Sequence, residues 1–235
     1  DNVDKNAATQ KGIVVTNAPA YSTESVAQHT FALLLELMAH TGLHNESVKA
    51  GEWAANDYFC YWKRPIFEIS GKTIGLIGCG QIGSRVAEIA KAFGMKVLIY
   101  AKTPKTGRVT LNEALKNSDI ISVHCPQTEE TIGLINKNTI AKMRNDVYII
   151  NTARGGIINE EDMAEALKSG KVAGFAADVI SSEPPKNDNP LITAPNTVIT
   201  PHIAWASLDA RRRLMNIVKN NLIAFLDGNP INRVN

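Results

Sequence analysis

The seven residues Ile77-Gly78-Cys79-Gly80-Gln81-Ile82-Gly83 constrain this chain more than any other stretch. Their glycines have GxGxxG spacing. Ahead of them residues 73–78 form a short apolar run that reads as a buried strand. After them residues 82–93 carry apolar side chains at helical spacing. The spacing alone is weak evidence, but strand before and helix after is the context it requires. In that context Gly78 permits a tight turn, Gly80 lets the backbone approach a pyrophosphate, and Gly83 lets the helix lie close to the sheet. The N–H groups near Gln81 and Ile82 then face phosphates at the positive end of the helix dipole. The plainer alternative is a turn that only packs a helix on a strand.

Downstream the chain alternates. Strands are expected at 73–78, 96–100, 119–124, 146–151, 172–179 and 197–200, and helices at 82–93, 111–116, 138–143, 160–169 and 208–226. Most of the strands are nearly continuous apolar runs, as in a parallel sheet covered on both faces. This rhythm predicts an α/β fold, a doubly wound parallel sheet with right-handed crossovers. Its 235 residues are 44% apolar, enough for such a core. Ligands of these sheets bind beyond the carboxyl ends of the strands, so motifs there carry the most weight. Upstream, residues 12–17 read as a short buried strand cut off by Pro19. A helix is expected from Ser22, with Ser25 and Gln28 as a capping box and Val26, Leu33, Leu34, Leu37 and Met38 on its apolar face. Residues 53–65 are aromatic-rich and aperiodic, and read as a packed connection or a dimer contact.

Several classes of function lose support. The formal net charge of +2 gives no argument for nucleic acid or membrane. Arg211, Arg212 and Arg213 fit a solvated helix face. Cys60, Cys79 and Cys125 have no metal-ligand spacing, so no metal is expected, and they suit free thiols in a reducing compartment. No signal peptide is seen, and the apolar run 31–38 is too short to span a bilayer. A soluble, cytoplasmic protein is expected.

The run VLIYAKTPK, from Val97 to Lys105, lies where a dinucleotide site grips a ribose. An NAD site places an acid there, about 20 residues after the glycine turn. Here Ala101 occupies the position, followed by Lys102, Thr103 and Lys105. No carboxylate at that position would repel a 2′-phosphate; the lysines could neutralise one and Thr103 could hydrogen-bond it. The cofactor reading is therefore NAD(P), with NADP(H) slightly favoured over NAD(H). The alternative is ordinary surface lysines, with an acid supplied from elsewhere.

Three ionisable residues follow the later strands: Arg154 in NTARGG, Glu183 in DVISSEP and His202 in TPHIAW. Hydride transfer to a ketone needs such groups. A His can protonate the carbonyl oxygen near neutral pH. A carboxylate beside it favours the charged ring and fixes its orientation. An Arg can hold a substrate carboxylate through two hydrogen bonds. Singly, each has a bland reading as a structural His, a loop charge or a helix cap; on successive strand ends they make a site. His29, His40 and His44 read as packing or surface residues, and His124 as lining the cofactor cleft without doing chemistry.

The ordered set GIVVTNAP, IGCGQIG, SVHCP, NTARGG, DVISSEP and TPHIAWAS resembles the D-isomer-specific 2-hydroxyacid dehydrogenases over nearly the whole chain. Within that family the stretch YSTESVAQHTFALLLEL, the FCYW loop and HIAWAS are most similar to the glycerate dehydrogenases, also called hydroxypyruvate reductases. The resemblance implies a Rossmann-type NAD(P)-binding domain over 21–205. It implies the end of a flavodoxin-like substrate domain at 1–20, and a C-terminal helix returning to that domain over 206–235. Roughly another hundred residues of a substrate domain of ordinary size are expected before this start, so the chain reads as a fragment or truncated product. The catalytic residues implied are Arg154 on the substrate, Glu183 paired to the histidine, and His202 as proton donor in reduction and acceptor in oxidation.

Cofactor contacts are implied for Gly78, Gly80, Gln81, Ile82 and Gly83, for Ala101, Lys102 and Thr103, and for His124, Cys125 and Pro126. They are also implied for Thr152, Ala153, Arg154, Asp178, His202 and Ala204. The expected reaction is reduction of a short 2-keto acid, hydroxypyruvate or glyoxylate, to D-glycerate or glycolate, by a homodimer. The alternatives are a dinucleotide-sensing protein of the corepressor type, or a dehydrogenase for D-lactate or 3-phosphoglycerate. A phosphoglycerate dehydrogenase is expected less, since no regulatory domain follows the last helix. Formate dehydrogenases place Gln where Glu183 stands.

Overall fold

The computed structural model describes residues 3–103 and 105–235. Pro104, within the expected ribose loop, and Asp1 and Asn2, at the start of the expected 1–20 segment, lie outside the described residues.

Six strands, β1 (Thr73–Ile77), β2 (Lys96–Tyr100), β3 (Ile120–Val123), β4 (Val147–Asn151), β5 (Val172–Ala177) and β6 (Thr197–Ile199), form one sheet. The order is β2-β1-β3-β4-β5-β6 and every pairing is parallel. The strand pattern decides the layering. Successive residues point to opposite faces, so Ile150 and Ile120 join one core cluster while Ile149 and Ile121 join the other. Helices α2 (Thr23–Ala39) and α4 (Gln81–Ala92) cover the first face. Helices α5 (Leu111–Asn117), α6 (Lys137–Lys142) and α7 (Glu160–Lys168) cover the second. This is the expected doubly wound α/β architecture, and the expected strands and helices differ from the observed ones by only one or two residues at their ends. The chain reverses direction across the sheet between β1 and β3, the position at which such sheets open a crevice.

Three expectations fail. Residues 12–17 form no strand. Thr16 makes one isolated bridge to Arg233, and Ile13 is 54% exposed. The backbone there is held by C-terminal residues: Val15 N donates to Asn235 Oδ1 and Asn17 N to Asn232 O. Ser25 caps nothing. Ser22 is the cap residue of α2, and Ser25 lies inside the first turn with its hydroxyl on Ala204 O at 2.5 Å. The packed-connection reading of residues 53–65 fails, while exposed aromatics are what the dimer-contact reading requires. Phe59 is 88% exposed, with Tyr58 and Trp62 also outside. Aromatic content shows that a surface is sticky, not which surface covers it.

Two helices were not anticipated. α1 (Lys5–Gln10) is capped by Asp4, whose side chain accepts from Ala7 N. α3 (Thr41–Lys49) is set off from α2 by His40 at φ 52°. The last helix, α8 (Leu208–Leu226), starts at a Ser207 cap and leaves Leu222, Phe225 and Leu226 exposed. No helix of the described residues is long and apolar enough to cross a membrane.

Candidate active site

The glycine turn is built as its spacing demands. Gly78 has φ 103°, and a Cβ there would sit 2.5 Å from Cys125 N. Only glycine lets the end of β1 pass so near the end of β3. Gly83 lies against the turn, where a Cβ would meet Gly78 O. Gly80 is the cap residue of α4 and offers no side-chain cap. Nothing lies within 4 Å of where its Cβ would be. The first turn of α4 therefore opens its N–H groups to a space that an anion can enter. Gln81, Ile82 and Gly83 line a small pocket of about 380 Å³ there, with Tyr21 and His124.

A larger cleft of about 860 Å³ runs from this turn to the lip formed by Ala101, Lys102, Thr103 and Lys105. Its far wall includes Cys125 and Pro126. A dinucleotide fits this donor set: open helix N–H groups, an apolar wall and a cationic lip. The lip also holds residues outside the expected set. Lys102 Nζ reaches across the cleft to both carboxylate oxygens of Glu130, at 2.8 and 2.7 Å. Arg108, whose Nη1 donates to Thr103 O, lines the same space. Arg108 stands just past the stretch that drew attention in the sequence. Glu130 is 28 residues from its partner, and no local pattern marks it.

His124 lies between the turn and the rest of the sheet edge, with Nε2 2.8 Å from Ser122 Oγ. Burial pushes its pKa down to about 4. It is therefore neutral at neutral pH, a wall rather than a proton carrier. Burial likewise pushes the Cys125 thiol up, away from the thiolate.

At the other end of the sheet edge, β4, β5 and β6 are neighbours; Arg154 follows β4, Asp178 and Glu183 follow β5, and His202 follows β6. Asn151, buried at the end of β4, shapes the first loop. Its side chain accepts from Ala153 N at 3.0 Å and donates to Arg154 O at 2.9 Å. Arg154 is exposed, with Nη1 on Ala153 O at 2.7 Å. Thr152 is tied to Thr30 of α2 through their hydroxyls at 3.0 Å. A Cβ on Gly155 would sit 1.9 Å from the Ile180 carbonyl carbon. The Arg154 loop thus abuts the loop that leads to Glu183.

Asp178 follows β5 and is 1% exposed. Its carboxylate accepts from Thr200 Oγ1 at 2.6 Å, Ile203 N at 2.9 Å and Ala204 N at 2.7 Å, and its backbone carbonyl accepts from His202 N at 2.8 Å. These bonds hold His202 at φ 54°, a left-handed backbone that a non-glycine residue keeps only when its surroundings fix it. The His202 ring then turns Nδ1 to Glu183 Oε2 at 2.5 Å. Glu183 Oε1 accepts from Ile180 N at 3.2 Å. With Nδ1 occupied, Nε2 is the ring nitrogen directed away from the carboxylate. A pocket of about 650 Å³ is lined by Asp178, Glu183 and His202.

Two residues here escaped sequence reasoning. Glu160, 8% exposed at the start of α7, accepts from Ser181 N, Ser181 Oγ and Asn189 Nδ2 at 2.7–2.8 Å, and so tethers both sides of the Glu183 loop. His29, read as packing or surface, instead places Nε2 2.9 Å from Thr200 Oγ1 and 3.5 Å from Asp178 Oδ1. The available signal was a polar trio, Ser25, His29 and Thr30, on a largely apolar helix. Among the described residues no group of three His, Cys, Asp or Glu side chains could hold a metal ion.

A doubly wound sheet with a glycine turn at one end of its ligand edge and an acid–base pair at the other follows the plan of a dinucleotide-linked oxidoreductase. More narrowly, the chain belongs to the D-isomer specific 2-hydroxyacid dehydrogenases, whose NAD binding domain matches residues 31–204. It is 50% identical over 240 residues to a hydroxypyruvate reductase of Blautia hydrogenotrophica, covering 99% of this chain and 74% of that protein. It is 40% identical over 236 residues to a glycerate dehydrogenase of Methylorubrum extorquens, covering 100% and 75%. A solved acyclic imino acid reductase in complex with NADPH and D-Arg superposes with a TM-score of 0.88 at 36% identity, covering 100% of this chain and 75% of that one.

Proposed function

We propose that the chain supplies the nucleotide-binding and acid–base parts of an enzyme that reversibly reduces hydroxypyruvate or glyoxylate to D-glycerate or glycolate. The observation that carries this reading is the 2.5 Å bond between His202 Nδ1 and Glu183 Oε2 beside the Arg154 loop. The relatives named hydroxypyruvate reductase and glycerate dehydrogenase support the choice of keto acid.

In the reduction, the carbonyl carbon gains a hydride and the carbonyl oxygen gains a proton. A nicotinamide cofactor, when bound, would supply that hydride. His202 donates the proton from Nε2, while Glu183 fixes the ring through Nδ1. In oxidation His202 takes the proton back. Arg154 holds the substrate carboxylate and polarises the carbonyl with its planar fork. Asp178 keeps the His202 loop in place, and Thr152, Ala153 and Ala204 would offer backbone to a nicotinamide when it is bound.

The cofactor is NAD(P)(H), with NADP(H) slightly favoured. Ala101 at the ribose position and the cations Lys102, Lys105 and Arg108 at the lip support that preference. Residues 21–205 form the nucleotide domain in this reading, and residues 1–20 and 206–235 belong with the substrate domain. The two terminal segments are joined, with Asn221 Nδ2 donating to Asn17 O. The exposed aromatics of 53–65 support a homodimer contact, and the free cysteines fit a cytoplasmic setting.

The test is a steady-state assay of the complete protein with hydroxypyruvate, glyoxylate, pyruvate and 3-phosphohydroxypyruvate, each with NADPH and NADH. Turnover of the first two with a kcat/KM well above the others is expected. Cofactor binding with no turnover of any keto acid would replace this reading with a dinucleotide sensor.

A further inference from the structure

Helix α2 is mostly buried by apolar side chains, yet one of its faces is polar. Ser25 and His29 stand at i and i+4 on one face, and Thr30 follows about 100° further round the helix. Each bonds a different point of the site edge. Ser25 Oγ donates to Ala204 O at 2.5 Å, His29 Nε2 meets Thr200 Oγ1 at 2.9 Å, and Thr30 Oγ1 meets Thr152 Oγ1 at 3.0 Å. None of these residues belongs to the His202–Glu183 pair or to the Arg154 loop.

Counting protons fixes the direction of the central bonds. A threonine hydroxyl has one proton to give. At 2.6 Å from Asp178 Oδ1, Thr200 gives it to the carboxylate, which also collects the N–H groups of Ile203 and Ala204. The Thr200 oxygen is then the acceptor for His29, so His29 carries its proton on Nε2. That same N–H lies 3.5 Å from Asp178 Oδ1. Donors run from His29 through Thr200 to Asp178, and the N–H groups of Ile203 and Ala204, just after His202, donate to the same carboxylate.

We propose that His29 is a positioning residue for the reaction. Through Thr200 it fixes the Asp178 carboxylate, and through Asp178 it holds His202 in its left-handed backbone with the ring on Glu183. The inference rests on the reading of His202 as the proton donor. His29 touches neither substrate nor the reacting atoms; it acts on the geometry of the group that does. A histidine that served only to fill the α2 interface would contribute to stability without being coupled to His202.

The experiment compares His29→Ala, His29→Gln, Thr200→Val and the His29→Ala/Thr200→Val double variant in the complete enzyme. His29→Ala is expected to lower kcat for keto-acid reduction about tenfold or more, the scale of a modest misplacement of a reacting group. NADPH affinity is expected to fall far less than kcat, because the phosphate and ribose contacts lie at the glycine turn and the lip, away from this network. His29→Gln, with an amide donor of similar reach, is expected to recover most of kcat. The double variant is expected to be no worse than the worse single one, since the two side chains act in series. A second readout does not need turnover: the NMR resonance of the His202 Nδ1 proton on Glu183 should broaden or move in His29→Ala and be restored in His29→Gln.

An unchanged kcat and an unchanged resonance in His29→Ala would overturn the proposal. So would a kcat loss that tracks the loss of folded protein and is not rescued by Gln, or full additivity in the double variant. A wild-type enzyme that turns over no keto acid defeats the functional reading instead, and the resonance still decides the role of His29.

Discussion

Nδ1 of His202 and Oε2 of Glu183 lie 2.5 Å apart, joined across 19 residues of sequence. Two loops from neighbouring strands must each be fixed for this bond to form. Asp178 fixes one, and Glu160 the other. The acid–base pair is thus supported by buried carboxylates that take no part in proton transfer.

Removing the ring should remove the chemistry. His202→Ala is expected to lower kcat for keto-acid reduction by about a thousandfold, within the usual range for a general acid. Cofactor affinity should change little. Fluorescence titration with NADPH beside the steady-state assay checks both halves, and unchanged turnover removes His202 as the donor.

Arg154→Lys should be nearly as damaging as Arg154→Ala. A lysine keeps the charge but cannot present two parallel N–H donors to a carboxylate. A loss of about a hundredfold in kcat/KM for hydroxypyruvate is expected, the scale of losing charged hydrogen bonds. Retained kcat/KM in the lysine variant would mean that charge alone is needed at this position.

The cofactor lip holds opposing charges. Glu130 engages Lys102 at 2.7 Å, so a 2′-phosphate would have to compete for that lysine. The pair is exposed and weak, which makes the competition even. Glu130→Gln is expected to lower the KM for NADPH several-fold and leave NADH almost unchanged. Ala101→Asp is expected to move the preference toward NADH. Measuring kcat/KM with both cofactors tests each variant, and constant ratios would mean the 2′ position is read elsewhere.

Acid should weaken the fold through His124. Its folded pKa, about 4, lies below the ordinary 6.5, so between those values the unfolded chain binds a proton that the folded one does not. Stability from this group is complete above about pH 6.5 and is lost as pH falls toward 4, by roughly 3 kcal/mol at most. Urea denaturation at pH 7.0, 5.5 and 4.5 should show the decline. His124→Gln should flatten it, and a slope that survives in the variant would assign the effect to other groups.

Glu160→Ala is expected to destabilise the protein by about 1–3 kcal/mol, because it leaves the buried Asn189 amide and the part-buried Ser181 donors without their acceptor. It should also lower kcat by freeing the Glu183 loop. Thermal melts and the keto-acid assay read the two effects separately. A large stability loss with full kcat in the folded fraction would confine Glu160 to the fold.

The sheet was legible because its inner strands are buried on both faces and so are written as nearly continuous apolar runs. The glycine turn was legible because its whole context is local. The strand-end positions of Arg154, Glu183 and His202 were legible once their strands were placed. The supporting residues were not. His29 is 171 positions from Thr200, and Glu130 is 28 from Lys102. No periodicity records a pairing over such distances. Residues 12–17 and 53–65 failed for a related reason: apolar content marks a surface to be covered, while the neighbour that covers it is a property of the folded chain.

Gly155 meets the Ile180 carbonyl with no room for a methyl group. The Arg154 loop and the Glu183 loop consequently have no independent play, and a shift in one is passed to the other. In the proposed mechanism, substrate grip and proton delivery are thereby geared together at a residue with no functional group. A search for variants with a new substrate range will find that gear closed at position 155, and must work instead through the side chains on either side of it.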